Sequence, residues 1–272
     1  MAILTKHRSG DCERWALDGG LLSPAFDFKR LCQMHPHEVL PYLTSFPTGD
    51  EAAGGLLAPV EYDQEVWACG VTYLRSRDAR EAETDVKNIY DRVYEAERPE
   101  LFFKAIGWRV RGTHSAIRIR KDSRWNVPEP ELTLLINRFG EILGYCVGND
   151  VSSRDIEAAN PLYLPQAKVY DGSCAIGPGI CLTHAKQMRN LTIELVIERN
   201  GKVIFKGDTS TSQIKRSLEE LASYLTMEMT FPFGVFLLTG TGIIPDEAFS
   251  LSAGDRVVIA IDGLVLENRV ES

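Results

Sequence analysis

The chain has 272 residues, 44% of them hydrophobic, and a formal net charge of −8 without a basic run. This composition is typical of a globular protein with a full core, and the charge argues against nucleic acid or a membrane surface as a partner. No apolar run approaches the roughly 18 residues that span a bilayer, and the start lacks a signal-peptide core, so we expect a cytoplasmic protein.

The N-terminal part predicts two short helices, over Asp27–Met34 and His37–Ser45. A stretch rich in Pro, Gly and acidic residues follows and ends near Tyr62. Such a stretch is typical of a domain boundary. We therefore expect a small N-terminal domain, residues 1–62, and a larger catalytic domain, residues 63–272.

A strand pattern over Glu65–Tyr73 opens the second part, and a charged helical pattern follows over residues 75–97. The apolar residues in that pattern recur at helical spacing, with charges between them and an interruption near Thr84. They are Ala79, Ala82, Val86, Ile89, Tyr90 and Val93. The pattern predicts an amphipathic helix that packs through these apolar side chains.

Strand-like runs dominate the rest of the chain. They are Glu100–Ile106, His114–Lys121, Glu131–Arg138, Glu141–Gly148, Leu191–Arg199, Lys202–Gly207, Gly234–Gly240 and Arg256–Asp262. Asn200-Gly201 and Asp262-Gly263 are typical hairpin turns. Two more helices are predicted, a short one after Ser152 and one over Ser217–Met229. Many strands without regular βαβ alternation indicate a β-rich α+β fold.

Three acidic residues belong to one predicted hairpin. Glu129 and Glu131 point to the same side of a strand, where like charges repel unless water or a cation holds them. The turn at Phe139-Gly140 would bring Asp150 opposite this pair. Alone, the two glutamates are more typical of a solvated strand entry than of a metal site, but three oxygen ligands suit Mg²⁺, with Mn²⁺ or Ca²⁺ as substitutes.

Lys168 follows a Pro-containing loop and precedes a Gly- and Pro-rich stretch, which suggests a close backbone approach to a partner. Near a dication the ammonium form is disfavoured, so we expect a lowered pKa and a role as a base. Asp171, in the same segment, is a candidate substrate contact that either orients Lys168 or closes its own turn. Taken alone, Lys168 has the pattern of a surface lysine.

From about Trp67 onward the chain carries an ordered set of motifs. They are GVTY at 70–73, PELFFK at 99–104, Glu-x-Glu at 129–131, NDVSSRD at 149–155, Lys168 with Asp171, TGTG at 239–242, and AGDRVVIAIDGLVLENRV at 253–270. In this ordered set the chain resembles the fumarylacetoacetate hydrolase superfamily. The resemblance implies a mixed β-sandwich roll behind a small N-terminal domain, assembled as a homodimer or homotetramer. It also implies that Glu129, Glu131 and Asp150 bind Mg²⁺, that Lys168 lies beside the metal, and that Arg154 contacts substrate or supports the site.

One departure from the family pattern bears on the reaction. Many members carry a histidine and a glutamate in a GxNYxxHxxE-like segment that handles water or protons, whereas this chain has Ser76 and Ala79 there. The resemblance then favours dehydration of a 2-keto-3-deoxy sugar acid, such as 2-keto-3-deoxy-D-arabinonate, to 2,5-dioxopentanoate through a metal-stabilised enolate. Lys168 is the candidate base for C3, and Glu100 is the candidate acid for the C4 hydroxyl.

Several alternatives stay open at this stage. Within the superfamily these are hydrolysis of a β-diketo acid and isomerisation or decarboxylation of a 2-oxo acid, and outside catalysis a metal-binding oligomer. Arg77 is a candidate for binding a substrate carboxylate or hydroxyl, although the same pattern suits a solvated helix face. Thr241 is a candidate substrate contact or a plain turn residue.

Overall fold

Two packed β-sheets form the framework of the protein, whose computed structural model describes residues 2–83 and 89–272. The large sheet contains eleven strands, β1 (Ala2–Ser9), β2 (Cys12–Leu17), β3 (Gly20–Leu22), β4 (Thr48–Glu51), β5 (Leu56–Leu57), β6 (Glu65–Gly70), β7 (Glu100–Ile106), β10 (Pro130–Ile136), β11 (Ile142–Asp150), β13 (Cys174–Leu182) and β16 (Val235–Leu238). The second sheet contains β8 (Ala116–Arg118), β14 (Thr192–Arg199), β15 (Lys202–Ser210), β17 (Arg256–Ile261) and β18 (Leu264–Glu271). Two short strands, β9 (Asn126–Val127) and β12 (Ser152–Ser153), pair separately.

Seven α-helices accompany these strands within the described residues. They are α1 (Phe28–Leu31), α2 (Pro36–Thr44), α3 (Leu74–Glu83), α4 (Ile89–Glu95), α5 (Arg154–Ala159), α6 (Leu164–Lys168) and α7 (Leu218–Thr226). The predicted interruption at Thr84 and the predicted apolar position at Val86 lie outside the described residues. No helix in the described ranges is long and apolar enough to cross a membrane.

The large sheet runs in the order β4, β3, β2, β1, β13, β11, β10, β16, β6, β7, with β5 beside β1. Its pairs are antiparallel except β16 with β6, and in the second sheet β18 runs parallel to β8. This mixed arrangement with few helices confirms the predicted β-rich α+β fold and the sandwich roll.

Strand β10 shows how the sheet separates two cores. Leu132, Leu134 and Ile136 pack between the sheets, against side chains of β14 and β17. Leu135 points to the opposite face and joins a second core that α1 and α2 cover. Successive side chains of a strand alternate between its two faces, and every residue of β10 is buried. Strand β10 therefore contributes side chains to both cores.

Both predicted hairpin turns are present, and each connects its strands through two residues. Arg199 pairs with Lys202 and Ile261 pairs with Leu264. The connecting residues, Asn200-Gly201 and Asp262-Gly263, all have positive φ. A type I′ turn requires this of both central residues, which is why Asn-Gly and Asp-Gly predict it.

The first 62 residues continue the large sheet. Strand β1 pairs with β13, and Leu4 and Trp15 share the second core with Phe236. The predicted boundary near Tyr62 therefore falls in a connection between β5 and β6, and sheet and core are continuous across it. The division into domains stays a prediction about the sequence.

Candidate active site

Three carboxylates meet where β10 begins and β11 ends. The backbone N–H of Asp150 donates to the carbonyl of Glu129 at 2.9 Å, and Glu131 lies opposite Gly148 in the register. Ligand oxygens of Glu129, Glu131 and Asp150 lie within 4.8 Å of one another, and all three side chains are buried. The predicted hairpin thus brings the three acidic residues together.

Lys168, the last residue of α6, extends its ammonium group into this cluster. Its Nζ donates to Glu129 Oε2 at 2.9 Å, to Asp150 Oδ2 at 3.0 Å and to Ser152 Oγ at 2.6 Å. The side chain is 2% exposed. Lys168 is therefore a buried member of the cluster rather than a surface lysine.

Lys104 is a second buried lysine at the cluster, and sequence reasoning missed it. It projects from β7, forms an ion pair with Asp150 Oδ1, and donates to the carbonyls of Val151 and Lys168. An ammonium group is not expected in an apolar strand unless it is paired. The lysine within the apolar run LFFKAI was the signal that could have revealed it.

Glu131 is held from the opposite side by the backbone of the TGTG segment. The N–H of Gly240 donates to Glu131 Oε2 at 2.6 Å. Gly240 has a φ of 89°, and a Cβ there would stand 2.1 Å from Thr72 Oγ1. Glycine is thus required to bring this N–H to the carboxylate.

The pKa values of two carboxylates in the cluster, Glu129 and Glu131, are shifted in opposite directions. Burial, with Asp150 and Glu129 adding to it, raises the pKa of Glu131 well above its usual range. Burial acts in the same direction on Glu129, but the cations Lys168, Arg80 and Arg154 outweigh it and lower the pKa of Glu129. The pKa values of the two neighbouring glutamates therefore shift in opposite directions because the two side chains have different partners.

Burial disfavours the ammonium form of Lys168, but the carboxylates of Asp150, Glu129 and Glu157 outweigh burial and raise the pKa of Lys168. The lowered pKa predicted for Lys168 assumed a neighbouring dication. Without one, two carboxylates hold its proton directly.

Helix α3 covers the cluster through a polar face, contrary to the predicted packing. Ser76 and Arg80 are buried, whereas Ala82 is exposed and Ala79 is half-buried. The amphipathic prediction was wrong about the face because this helix packs against charges rather than against an apolar core. Ser76, Arg80 and Glu83 stand at i, i+4 and i+7, and that polar spacing was the missed signal.

Arg80 of α3 and Arg154 of α5 both donate hydrogen bonds to Glu129. Arg80 Nη2 donates to Glu129 Oε1 at 2.9 Å, and Arg154 Nε donates to the same oxygen at 3.3 Å. Arg154 also donates to Glu83, and Arg80 pairs with Glu157. Arg154 is 1% exposed, so its guanidinium group is buried beside Glu129, and its predicted role stays a prediction.

A small cavity lies beside the cluster, with a volume of about 20 Å³. Glu100, Thr241, Ser76, Arg80 and Lys168 line it together with Cys69, Gly70, Val71, Phe102, Glu129, Glu157, Leu164 and Gly240. Burial and the nearby Glu157 raise the pKa of Glu100, which favours its protonated form. The cavity thus places a carboxyl group of raised pKa and an ammonium group around one space, much smaller than the roughly 300 Å³ of a typical ligand pocket.

Val71 turns the chain from β6 towards α3 and also lines the cavity. Its φ of 52° is rare for a β-branched residue. Backbone strain of this kind costs about 1–3 kcal/mol and persists where the surrounding structure enforces it, often at functional sites.

The structure does not bring two of the sequence-predicted residues into the cavity. Arg77 bonds to Asp78 and pairs with Asp91 on the outer side of α3. Asp171 is exposed and pairs with Arg109. Their predicted substrate contacts stay predictions.

The donor set of the described cluster fits a divalent cation. Glu129, Glu131 and Asp150 place carboxylate oxygens within 4.8 Å of one another in a buried space. Carboxylate oxygens are also the ligands that Mg²⁺ prefers.

A wider cleft of about 440 Å³ lies near α2, where Pro36, Val39, Leu143 and Leu182 contribute to its walls. His184 is the one titratable side chain among its described lining residues. None of the described residues that line this cleft carries a carboxylate that could hold a metal. The smaller cavity is therefore the candidate active site.

Known proteins match this chain over the region that contains the site. The profile of the C-terminal region of fumarylacetoacetate hydrolase matches residues 66–271. A Haloferax volcanii protein named "Probable 2-keto-3-deoxyxylonate dehydratase" is 49% identical over 209 residues, covering 76% of this chain and 72% of that protein. A 2-dehydro-3-deoxy-D-arabinonate dehydratase of Saccharolobus solfataricus is 44% identical over 206 residues, covering 74% of this chain and 69% of that protein.

A solved structure agrees over the full length of the chain. It is 2-keto-3-deoxy-D-arabinonate dehydratase complexed with magnesium and 2,5-dioxopentanoate. The two folds superpose with a TM-score of 0.84 at 34% identity, and the match covers 100% of this chain and 99% of the other.

Proposed function

The chain belongs to the fumarylacetoacetate hydrolase family, and we propose that it catalyses Mg²⁺-dependent dehydration of a 2-keto-3-deoxy sugar acid, such as 2-keto-3-deoxy-D-arabinonate, to 2,5-dioxopentanoate. The observation that carries the proposal is the cavity lined by Lys168, Glu100 and Glu129, with Glu131 and Asp150 clustered beside Glu129. Among the described residues that line it, none is a histidine. Elimination of water requires a base and an acid, which are present, whereas hydrolysis requires activation of water.

The names of the two dehydratase relatives point to one kind of substrate. Arabinonate and xylonate differ in configuration at C2 and C3 alone. A keto group at C2 and loss of the C3 hydroxyl remove both differences, so within the D series the two names describe one compound. We therefore propose a five-carbon acid with a single stereocentre, at C4.

Glu129, Glu131 and Asp150 are the residues that we propose hold Mg²⁺. When bound there, Mg²⁺ supplies Lewis-acid polarisation of a 2-keto group, which makes the C3 hydrogens acidic. Arg80 and Arg154 hold the Oε1 atom of Glu129, so its Oε2 is the oxygen that faces Lys168 and the cluster.

Lys168 is the base that we propose removes a C3 proton. Two carboxylates hold its proton in the metal-free protein. A cation held by the same carboxylates would weaken this attraction and favour the neutral amine. Lys168 would therefore act as a base when the carboxylates hold a cation.

Glu100 is the acid that we propose protonates the departing C4 hydroxyl. Its raised pKa keeps the carboxyl group protonated to a higher pH than usual. The C3 proton goes to Lys168, the C4 hydroxyl leaves as water with the proton of Glu100, and a C3–C4 double bond forms. The resulting unsaturated 5-hydroxy keto acid tautomerises to 2,5-dioxopentanoate.

We propose that Thr241, which lines the cavity, contributes a substrate contact beside Lys168. For Arg154 we propose a supporting role, since Glu83 and Glu129 occupy its guanidinium group.

A coupled assay tests the function. Purified protein with Mg²⁺ receives the D and L forms of 2-keto-3-deoxypentonate, and a semialdehyde dehydrogenase reports the aldehyde product. We expect product from one enantiomer and none from β-diketo acids. Absence of aldehyde from both enantiomers would exclude the proposal, and product from a diketo acid would instead assign a hydrolase.

Two finer points belong to the same proposal. Mn²⁺ is expected to substitute for Mg²⁺ in this assay, and Ca²⁺ to occupy the site, since all three prefer oxygen ligands. We also propose a homodimer or homotetramer, which light scattering of the purified protein distinguishes.

A further inference from the structure

Helices α3 and α5 carry the same short motif, Arg-x-x-Glu, and the two copies pair with each other. Arg154 of α5 donates to both carboxylate oxygens of Glu83 on α3, at 2.9 and 2.6 Å. Arg80 of α3 pairs in return with Glu157 of α5. All four side chains are between 1% and 7% exposed.

Both arginines also converge on one atom of a proposed metal ligand. Arg80 Nη2 and Arg154 Nε bond to Glu129 Oε1, at 2.9 and 3.3 Å. Lys168 bonds to the other oxygen, Oε2, at 2.9 Å. The two carboxylate oxygens of Glu129 thus have separate partners, one set on α3 and α5 and the other at the centre of the cluster.

We propose that Arg80, Glu83, Arg154 and Glu157 form a reciprocal clamp that orients Glu129 for the metal and holds α3 closed over the cavity. The four are positioning residues, since they act through Glu129 rather than on substrate. The inference rests on the proposed function to the extent that Glu129 is taken as a metal ligand.

The ion pairs of the clamp couple the position of α3 to the state of Glu129. A guanidinium group cannot lose its charge in a protein, so a buried arginine that loses its carboxylate leaves an uncompensated charge. If α3 lifts, Arg80 leaves both Glu129 and Glu157, and Arg154 leaves Glu83. The position of α3 over the cavity therefore depends on the charge and orientation of Glu129, which directly precedes β10 and lies 49 positions after Arg80 in the chain.

The size of the cavity indicates why closure matters. At about 20 Å³ it is too small for a five-carbon acid, and α3 contributes Ser76 and Arg80 to its wall. Entry of substrate thus requires part of the cavity wall to move, and the clamp resists movement of the part that α3 forms.

Two matched substitutions test the clamp in the metal-free protein. Glu129→Gln and Glu131→Gln each remove one buried carboxylate of the proposed metal site. Glu129 contacts the arginines of α3 and α5, whereas the contact recorded for Glu131 within the described chain is Gly240 N–H. Hydrogen exchange of the α3 amides, measured on the full chain with EDTA, is expected to accelerate about ten-fold or more in Glu129→Gln and less than two-fold in Glu131→Gln.

Equal acceleration in the two variants, or none in either, would overturn the clamp. If Glu129→Gln does not fold, the pair Glu83→Gln and Asp78→Asn replaces it. Both variants neutralise an acid on α3, but Asp78 is exposed and bonds to Arg77, away from Glu129.

Metal affinity separates positioning from plain helix stability. Mn²⁺ binding followed by electron paramagnetic resonance is expected to weaken about ten-fold in Glu83→Gln and to stay unchanged in Asp78→Asn. Equal Mn²⁺ affinity in both would contradict the positioning role. Neither measurement uses substrate, so failure of the dehydratase assay would remove the proposed function and leave the clamp standing.

Discussion

Gly240 is the position at which one added methyl group should damage the candidate metal centre. Its φ of 89° suits glycine, and a Cβ would stand 2.1 Å from Oγ1 of Thr72. Moving Thr72 breaks the 2.6 Å bond from its hydroxyl to the carbonyl of Thr239. Backbone strain costs about 1–3 kcal/mol and a buried acceptor left unpaired about 1–3 kcal/mol more. We therefore expect Gly240→Ala to lower the free energy of unfolding by about 2–6 kcal/mol.

Gly254 provides the matched control for this substitution. It has a φ of 93°, and nothing lies within 4 Å of an added Cβ, so Gly254→Ala should cost the backbone strain alone. Urea unfolding of both variants in EDTA gives the difference, and calorimetric titration with Mg²⁺ shows whether the Gly240 N–H still supports Glu131. The reasoning is refuted if Gly240→Ala costs no more than Gly254→Ala and binds Mg²⁺ as the wild type does.

Three further predictions concern the proposed acid, base and metal. Glu100→Gln should lower kcat by about 10²–10⁴-fold. Because the wild-type acid must be protonated, kcat/KM of the wild type should fall as pH rises through the raised pKa of Glu100. If Glu100→Gln shows the same pH profile as the wild type, this role is excluded. Lys168→Met removes a buried cation from Glu129 and Asp150 and should destabilise the metal-free protein by about 3–5 kcal/mol in urea unfolding, while a loss below 1 kcal/mol would contradict the ion pairs. Mg²⁺ at 100 times its dissociation constant should stabilise the wild type by about 2.7 kcal/mol, and thermal unfolding of Glu131→Gln should lack that gain.

The cluster of three carboxylates could be predicted from the sequence because its geometry is local. The side chains of Glu129 and Glu131 share a strand face, and a short turn sets where Asp150 falls. Neither inference needs to know what packs around the hairpin.

The partners of these carboxylates could not be predicted in the same way. Lys104 reaches Asp150 from β7, which is separated from β11 in the sheet by β10, β16 and β6. Arg80 and Glu157 stand on helices whose charges suit solvent equally well until the tertiary structure shows what they cover. Charge at a helical period does not distinguish a solvated face from a face that packs on a buried ionic cluster.

Strand β13 shows a different limit of local patterns. Its sequence, CAIGPGICL, contains two glycines and a proline, and these predict a loop rather than a strand. It nevertheless lies between β1 and β11 in the middle of the large sheet. Pairing on both sides overrides the low strand propensity of such residues.

The face of α3 also bears on which reaction the site supports. Ser76 and Ala79 replace the histidine and glutamate of the family pattern, and one helical turn later the same face carries Arg80 and Glu83. A guanidinium group has no lone pair to accept a proton from water, and Glu83 is engaged by Arg154 at 2.6 Å. The described part of α3 therefore presents charged side chains, one of which contacts Glu129, where the family pattern has a histidine and a glutamate. In the proposed reaction Lys168 and Glu100 carry out proton transfer, and elimination of water needs no other acid or base.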